Sequence, residues 1–356
     1  MRPKKHARLA EPPADPFRER QRAAFHQSVQ LLGGRFHFQT DSARLLRIVR
    51  RAYARLPSHK LPGATPRFVV RLVLAATEHP RRATRTKAEP PRVRPLAGGG
   101  ILCGAMDSAN FVALSPQQRS GLVVVSQDIL TFPYHIRYEL LEFAVYVLAA
   151  RVQRLVPLHA ACIGRDGQGL LLLGPSGSGK STLALHCLLQ RLDFLAEDSV
   201  LVSPEGMLAT GVANFLHVRP DSLRFLADAG VAATIRHSAI IRRRSGVEKF
   251  EIDLRRAQYR LATAPLRIGA IVFISASSAG SRPLLTPLRT AALRERLAAS
   301  QRYAANQPGW SAFMKQALRL PAFELRRGRH PLRAVEALQE LLPTGPVALA
   351  SKGRKR

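Results

Sequence analysis

A glycine-rich segment in the middle of the chain constrains its fold more than any other feature. Residues 174–181 read G-P-S-G-S-G-K-S and match the phosphate-loop pattern G-x-x-x-x-G-K-[ST] at every fixed position. The apolar run at 169–173 is typical of a strand buried on both faces of a sheet, and residues 182–190 predict a helix. A strand, a glycine-rich turn and a helix in this order predict an α/β domain that binds a nucleotide.

The residue types in this loop suit the binding of phosphate groups. Glycines at 174, 177 and 179 let backbone N–H groups approach phosphate oxygens, and the helix N-terminus adds a positive partial charge. We expect Lys180 to lie across the β- and γ-phosphates of ATP and Ser181 to offer its hydroxyl to Mg²⁺. A glycine-rich turn that binds nothing is the alternative, which the strand–loop–helix context disfavours. The residues predicted to bind ATP are Gly174, Ser176, Gly177, Ser178, Gly179, Lys180, Ser181 and Thr182.

Two adjacent acidic residues, Glu197 and Asp198, follow the next apolar run. A magnesium site beside a phosphate loop needs a carboxylate at the end of a neighbouring strand. Successive side chains of a strand point to opposite faces, so a regular strand end would direct only one of the pair towards the phosphates, whereas a bulge or turn would allow both. A solvated acid pair in a loop is the alternative. Residues 199–202 and 207–209 predict a hairpin, which a purely parallel phosphate-loop sheet would not contain.

Three segments taken together resemble the catalytic core of HPr kinase/phosphorylase and its kinase-like relatives. They are Leu158-His159-Ala160-Ala161-Cys162, the phosphate loop, and Leu195-Ala196-Glu197-Asp198-Ser199-Val200. The resemblance covers roughly residues 155–342, about half of the chain, and implies a kinase-like catalytic domain at 156–343. It implies a mixed sheet of the HPr kinase and phosphoenolpyruvate carboxykinase type. It also implies ATP- and Mg²⁺-dependent phosphoryl transfer to a serine hydroxyl of a protein or peptide.

The resemblance also implies roles for individual residues. Lys180 and Ser181 would hold ATP and Mg²⁺, and Glu197 and Asp198 stand where the family has two adjacent aspartates that ligate the metal and orient or deprotonate the acceptor. Because Glu197 is one methylene longer, the resemblance favours Asp198, with Ser181, as the metal ligand and Asp198 as the base. His159 matches the active-site histidine of the family, with a structural role in the core as the alternative.

Two further basic residues are similar to positions in these relatives. Arg219 lies in a segment that follows the acidic pair, and Lys249 begins an alternating strand. Both are candidates for a phosphate contact, with a surface role as the alternative for each.

The remaining sequence divides the chain into further parts. Residues 29–155 predict an α+β domain of unknown role, with a strand around Phe36 and Phe38, a helix capped by Asp41 or Ser42, a strand at 68–74 and a helix at 134–155. In the second half we expect strands at 158–163 and 268–274, an edge strand at 322–325 and helices at 290–300 and 331–342. Residues 1–28 predict a flexible basic arm, 79–95 a loop and 344–356 a disordered basic tail. The first 155 residues do not resemble the amino-terminal domain of HPr kinase, so we expect a relative with another acceptor.

The charge of the chain is strongly positive, with 55 Lys and Arg against 24 Asp and Glu, a net +31. Such an excess is typical of proteins that bind nucleic acid or a membrane surface. However, 46 of the 55 basic residues are arginine, whose codons are GC-rich, and genome composition can raise this count without selection for a polyanionic partner. A nucleic-acid-dependent ATPase therefore stays a disfavoured alternative, and an ATP-binding switch or adaptor without transferase activity is the main one.

The sequence also bears on where the protein functions. Its three cysteines are scattered and form neither a disulfide framework nor a zinc site. The apolar run at 140–152 is too short to span a bilayer and contains Glu142 and Arg151. We therefore expect a cytoplasmic protein without a membrane span. The sequence is compatible with an oligomer and does not specify the oligomeric state.

Overall fold

The computed structural model describes residues 23–75, 89–256 and 258–343. The tail predicted at 344–356, most of the arm predicted at 1–28 and most of the loop predicted at 79–95 lie outside the described residues. The structure is of the mixed α/β type, as expected, with three sheets.

The first sheet is built by the amino-terminal part of the chain. Its strands are β1 (Phe25–Leu31), β2 (Gly34–Thr40), β3 (Arg67–Ala75), β4 (Arg94–Gly98), β5 (Ile101–Ala105), β6 (Phe111–Ser115) and β7 (Ser120–Ser126). Their spatial order is β1-β2-β3-β7-β6-β5-β4, and β3 runs parallel to both of its neighbours.

Strand β1 corrects the predicted arm, because residues 25–28 pair with β2 in an antiparallel ladder. Most of its side chains are at least partly exposed, so no hydrophobic alternation marked it as a strand. The loop predicted at 79–95 likewise ends earlier than expected, since Arg94 begins β4.

Two helical segments cover this sheet. Helix α1 (Ala43–Tyr53) begins after Ser42, whose hydroxyl accepts a hydrogen bond from the backbone N–H of Leu45 at 3.3 Å, which confirms the predicted cap. Helix α2 (Pro133–His135), a π-helical turn (Ile136–Leu141) and α3 (Glu142–Gln153) follow one another as a single helical segment, close to the predicted helix at 134–155. Apolar side chains of both helical segments and of the sheet form one hydrophobic core.

The second sheet has nine strands and carries the phosphate loop. The strands are β8 (Val156–Leu158), β9 (Ala161–Arg165), β10 (Gln168–Leu173), β11 (Asp193–Ala196), β12 (Val200–Ser203), β13 (Leu208–Gly211), β17 (Leu266–Ser278), β18 (Leu285–Pro287) and β19 (Ala322–Arg327). The main order is β11-β9-β10-β17-β13-β12-β8, with β19 beside β17 and β18 beside β19. β17 runs parallel to β10 and β19, whereas the other pairs are antiparallel, so the sheet is mixed and contains the predicted β12–β13 hairpin.

Two predictions for this sheet are wrong. The single strand expected at 158–163 is divided between β8, which pairs with β12, and β9, which pairs with β10 and β11. The chain bends at His159, whose backbone N–H donates to Gln301 Oε1 at 2.8 Å, a contact that no local pattern reveals. Strand β19 is not an edge strand, because the three-residue β18 pairs with its outer side.

The third sheet is small, with β14 (Phe215–Val218), β15 (Ala239–Arg242) and β16 (Glu248–Asp253) in the order β14-β16-β15. The remaining helices are α4 (Lys180–Leu189), α5 (Ala229–Arg236), α6 (Thr290–Ser300), α7 (Arg302–Ala305), α8 (Trp310–Ala317) and α9 (Pro331–Gln339). Helices α4 and α9 pack on one face of the nine-stranded sheet, and α6 and α8 pack on the other. Leu170 and Leu172 of β10 face the first layer while Leu171 and Leu173 face the second, so β10 is buried on both faces as predicted.

Three cysteines lie in these elements, and all are free thiols. Cys162 on β9 and Cys187 on α4 are buried, and burial raises the pKa of both thiols well above the ordinary range. Cys103 on β5 is partly exposed. Among the described helices, none is long and apolar enough to cross a membrane.

Candidate functional site

The phosphate loop connects the end of β10 to the start of α4. Gly177 and Gly179 have φ angles of 79° and 102°, which side chains rarely adopt. A Cβ at either position would meet nothing within 4 Å, so the space in front of the loop is open. The backbone therefore has the conformation and the clearance that a phosphate-binding loop requires.

Lys180 is the first residue of α4 and its side chain turns back over the loop. Its Nζ donates to the carbonyl oxygens of Gly174 at 2.6 Å and Pro175 at 3.3 Å. Burial lowers the pKa of Lys180, while the nearby carboxylates of Asp198 and Glu197 act in the opposite direction. The lysine is thus held at the loop by weak acceptors that a phosphate group can replace.

Glu197 lies beyond the end of β11 and is almost completely buried. Its Oε1 accepts from the Ser181 hydroxyl at 2.6 Å, and its Oε2 accepts from the backbone N–H and the Nδ1–H of His217 at 2.8 and 2.9 Å. Burial alone would raise the pKa of Glu197, but His217 and the hydrogen bonds lower it to about 2. The same pairing raises the pKa of His217 although its own burial acts against this.

A second buried carboxylate, Glu251 on β16, lies on the other side of His217. It accepts from Arg137 Nη2 at 2.6 Å and from Arg51 Nη2 at 3.0 Å, and its Oε1 is 3.7 Å from His217 Nε2. Burial opposes ionisation of Glu251, but His217 and Arg137 lower its pKa to about 2. A chain of polar contacts therefore runs from the phosphate loop through Glu197, His217 and Glu251 to the helical segment of the amino-terminal part.

Sequence reasoning missed this chain of contacts. His217 and Glu251 are register partners across β14 and β16, so their proximity is set by strand pairing between distant segments. They could have been identified only from the pairing of β14 with β16, because directly opposite side chains on paired strands are close enough to interact.

Asp198 faces away from Glu197 and reaches the cavity in front of the loop. Its Oδ2 accepts from Arg243 Nη2 at 3.1 Å, and its backbone carbonyl accepts from His159 Nδ1–H at 3.1 Å. Both acids lie past the last residue of β11, and the ladder between β11 and β9 is irregular there, so strand alternation no longer restricts them. The structure therefore matches the alternative in which an irregular strand end lets both acids lie near the loop. Each acid has a different partner there.

A cavity of about 840 Å³ lies in front of the phosphate loop. Its walls include seven of the eight residues predicted to bind ATP, all except Gly174, together with His159 and Asp198. Basic side chains from several elements also line it: Arg219, Arg224, Arg243, Lys249, Arg326, Arg327 and Arg329. Arg327 contacts the loop directly, through a hydrogen bond of 2.7 Å from Nη2 to the Gly177 carbonyl.

The sequence predicted only part of this basic lining. Arg219 and Lys249, the two candidates for phosphate contacts, are both in the wall. The other five arginines were not singled out, because a chain with 46 arginines offers no pattern that separates them from surface residues. Their convergence makes the cavity suitable for a polyphosphate.

The oxygen atoms at the loop fit a magnesium ion. Mg²⁺ prefers oxygen ligands and few protein carboxylates. The Ser181 hydroxyl donates a hydrogen bond to Glu197, which leaves its oxygen lone pairs free for a cation, and the Asp198 carboxylate lines the cavity in front of the loop. Ser178 Oγ is buried in the loop without a hydrogen-bond partner among the described residues.

Neither a protein-family model nor a curated protein matches the chain. Among solved structures, that of the HPr(Ser) kinase/phosphatase from Coxiella burnetii is similar at 13% sequence identity and a TM-score of 0.26. The similarity covers 52% of this chain and 88% of that one. At this TM-score the likeness carries no argument of its own, and we base the proposed function on the geometry of the site.

Proposed function

We propose that the protein catalyses ATP- and Mg²⁺-dependent phosphoryl transfer to a serine hydroxyl of a protein or peptide. The observation that carries the proposal is the 2.6 Å contact between Ser181 and Glu197, beside a phosphate loop that opens into a basic cavity. A second carboxylate, Asp198, faces the same cavity. A positioned hydroxyl, two carboxylates and a lysine are the groups that phosphoryl transfer requires.

The phosphate loop and the basic wall would bind ATP. Backbone N–H groups of the loop and of the first turn of α4 would donate to phosphate oxygens. Lys180 would exchange the carbonyls of Gly174 and Pro175 for a phosphate, since a charge-assisted hydrogen bond is the stronger contact. The arginines of the wall would neutralise the remaining charge.

Ser181 and Asp198 are the groups that would hold Mg²⁺, with Glu197 fixing the orientation of the Ser181 hydroxyl. When bound, the ion neutralises charge on the β- and γ-phosphates. His217 would act as a positioning residue, because it holds the carboxylate of Glu197 in place from the side away from the cavity.

Asp198 is the group we assign as the base. In the transfer step the acceptor oxygen forms a bond to the γ-phosphorus, the bond from that phosphorus to the β,γ-bridging oxygen breaks, and ADP leaves with the electron pair. The hydroxyl proton passes to the Asp198 carboxylate, which Arg243 orients through Oδ2. His159 would support this arrangement by donating to the Asp198 backbone carbonyl.

The test is the Lys180→Ala variant, measured for ATP affinity and for transfer of label from γ-³²P-ATP. We expect loss of ATP binding or turnover, because the substitution removes the ammonium group of Lys180, the one buried lysine among the described residues. Lys315→Ala, at an exposed position on α8, is the matched control and should behave as the parent protein. If Lys180→Ala binds and hydrolyses ATP as the parent does, the proposal is wrong.

A second candidate is an ATP-binding switch without transferase activity. It is favoured by one observation, the buried contacts that link Ser181 through Glu197, His217 and Glu251 to Arg137 of the amino-terminal part. Incubation with γ-labelled ATP and lysate of the source organism separates the two functions. Label on a partner protein supports transfer, whereas binding without transfer supports the switch.

A further inference from the structure

A second cavity, of about 940 Å³, adjoins the phosphate cavity. The two share four lining residues, His159, Asp198, Arg243 and Ser245. The proposed base therefore stands in the wall between them and is reached from both sides. A molecule in the second cavity would present its groups to Asp198 from the side opposite the phosphate loop.

The walls of this cavity come from both parts of the chain. The helical segment of the amino-terminal part contributes aromatic side chains, namely Tyr134, Tyr138, Phe143 and Tyr146. The region of α7 forms the facing wall with Arg302, Tyr303 and Ala304. Tyr303 is 59% exposed, so a large aromatic side chain stands uncovered beside the cavity. The interior thus offers mainly apolar and aromatic contact area.

The charged groups of the cavity divide into an interior and a rim. In the interior, Glu139 accepts from Arg244 Nε at 2.8 Å and Nη2 at 2.6 Å, and Asp198 is paired with Arg243. Burial raises the pKa of Glu142 to about 8, which keeps this carboxyl neutral near pH 7. At the rim, Arg92 and Arg302 are exposed and form no ion pair with any described residue. The rim is therefore positive and the interior close to neutral.

We propose that this second cavity, called the acceptor cavity below, binds the polypeptide segment that carries the acceptor serine. An apolar or aromatic side chain next to the serine would lie against the tyrosines, and an acidic side chain would lie near Arg92 and Arg302. The inference rests on the proposed function, because it assigns the second substrate of the same reaction. It also gives the amino-terminal part a role, which is to select the acceptor.

Other acceptors fit the lining less well. A single neutral sugar would fill only part of a cavity of about 940 Å³ and has no charge to complement Arg92 and Arg302. A free serine carries two charges and is much smaller than a cavity of about 940 Å³. A peptide segment combines one hydroxyl with apolar neighbours, and its acidic side chains complement the positive rim.

The experiment uses the full chain, γ-³²P-ATP with Mg²⁺, and a peptide library with one fixed serine and varied flanking residues. We expect labelled peptides to be enriched in apolar or aromatic residues next to the serine and in Asp or Glu further away. With the best peptide, Tyr303→Ala and Arg302→Glu should each raise its KM by about fivefold or more, because the first removes aromatic contact area and the second reverses a charge at the rim. The KM for ATP and the rate of ATP hydrolysis without peptide should stay unchanged, because neither residue lines the phosphate cavity.

Two matched variants control for general effects of these substitutions. Ile240→Ala removes a side chain that is 61% exposed and lines neither cavity, and Arg47→Glu reverses an exposed charge on α1. Both should leave the peptide KM unchanged.

The possible failures can be told apart. If the parent protein binds no ATP, the proposed function is wrong and the inference falls with it. If ATP is bound and hydrolysed but neither a library peptide nor a protein of the source lysate is labelled, the proposed transferase function is wrong. If a lysate protein, free serine or a sugar is labelled but no library peptide is, the acceptor cavity is wrongly assigned. The same conclusion follows if peptides are labelled without preference, or if Tyr303→Ala and Arg302→Glu leave the peptide KM at the level of the controls.

Discussion

Glu197 and Asp198 are adjacent in the chain, yet their carboxylates have different surroundings. Glu197 is buried and bonded to Ser181 and His217, whereas the side chain of Asp198 is 39% exposed and paired with Arg243 at the cavity wall. The sequence predicted that acids would stand here. The resemblance favoured Asp198 over Glu197 as the base and metal ligand, but the sequence could not give their different surroundings, because these depend on His217 and Arg243, which come from other segments.

The different surroundings predict different losses when each acid is neutralised. Asp198→Asn should lower phosphoryl transfer by about 10²–10⁴-fold, as for removal of a general base, with little change in thermal stability. Glu197→Gln should lower activity and also destabilise the fold by about 3–5 kcal/mol, since it removes the carboxylate that is hydrogen-bonded to the buried His217. Turnover and chemical denaturation of both variants check this. Equal stability of the two variants would contradict it.

Glu142 predicts a pH dependence of stability. Because burial raises its pKa from 4.5 to about 8 in the folded protein, the protonated form is favoured on folding. Its contribution to stability is complete below about pH 4.5 and is lost as the pH rises through about 8. Glu142→Gln, which does not titrate, should therefore gain stability relative to the parent between pH 5 and pH 8, by on the order of a few kcal/mol. Urea denaturation at both pH values measures the difference, and parallel curves would disprove it.

Individual elements were predicted well where a local pattern specifies them. The apolar run of β10, the capped helix α1, the β12–β13 hairpin and the helices after the phosphate loop and at Pro331 are all present. The failures have a common cause. The exposed strand β1, the break at His159 and the short β18 depend on pairing with distant residues, which hydrophobic periodicity does not report.

Two glycines with positive φ angles allow the effect of backbone strain on stability to be separated from its effect on ATP binding. Gly179 and Gly167 have φ angles of 102° and 80°, and a Cβ at either would meet nothing within 4 Å. Each Gly→Ala change should therefore destabilise the fold by about 1–2 kcal/mol through its left-handed backbone alone. Only Gly179→Ala should also weaken ATP binding, because Gly167 lies in the turn at the other end of β10. Titration with ATP and thermal unfolding test the pair, and an equal loss of affinity in both would count against the loop as the ATP site.

Across the whole molecule, the two parts of the chain meet through buried charges and at the acceptor cavity. Glu251 of the third sheet contacts Arg137 of the helical segment and Arg51 of α1. The acceptor cavity has walls from both parts, so no segment read alone could have predicted it. The net charge of +31 does not by itself indicate a partner, whereas the arginines that line the two cavities form local positive surfaces.

The buried charges predict unequal effects on global stability. Glu251→Gln should cost about 3–5 kcal/mol, because Arg137 is only 4% exposed and would lose its carboxylate partner. Arg51→Ala removes the other partner of Glu251, but its side chain is 53% exposed, so the loss should stay below about 1 kcal/mol. Denaturant titration of both variants provides the comparison. A similar loss in both would show that the buried pair does not hold the two parts together.

The two buried cysteines offer a way to measure ATP binding without an acceptor substrate. Only a thiolate reacts quickly with alkylating reagents, and burial raises the pKa of Cys162 and Cys187, so both should be modified only when the protein opens. Partly exposed Cys103 should react first and serve as an internal reference. If ATP binds the folded protein, labelling of the buried pair should slow by a factor near 1 + [ATP]/Kd while Cys103 is unaffected. The labelling rate of the two buried thiols would then report how much of the protein has bound the nucleotide.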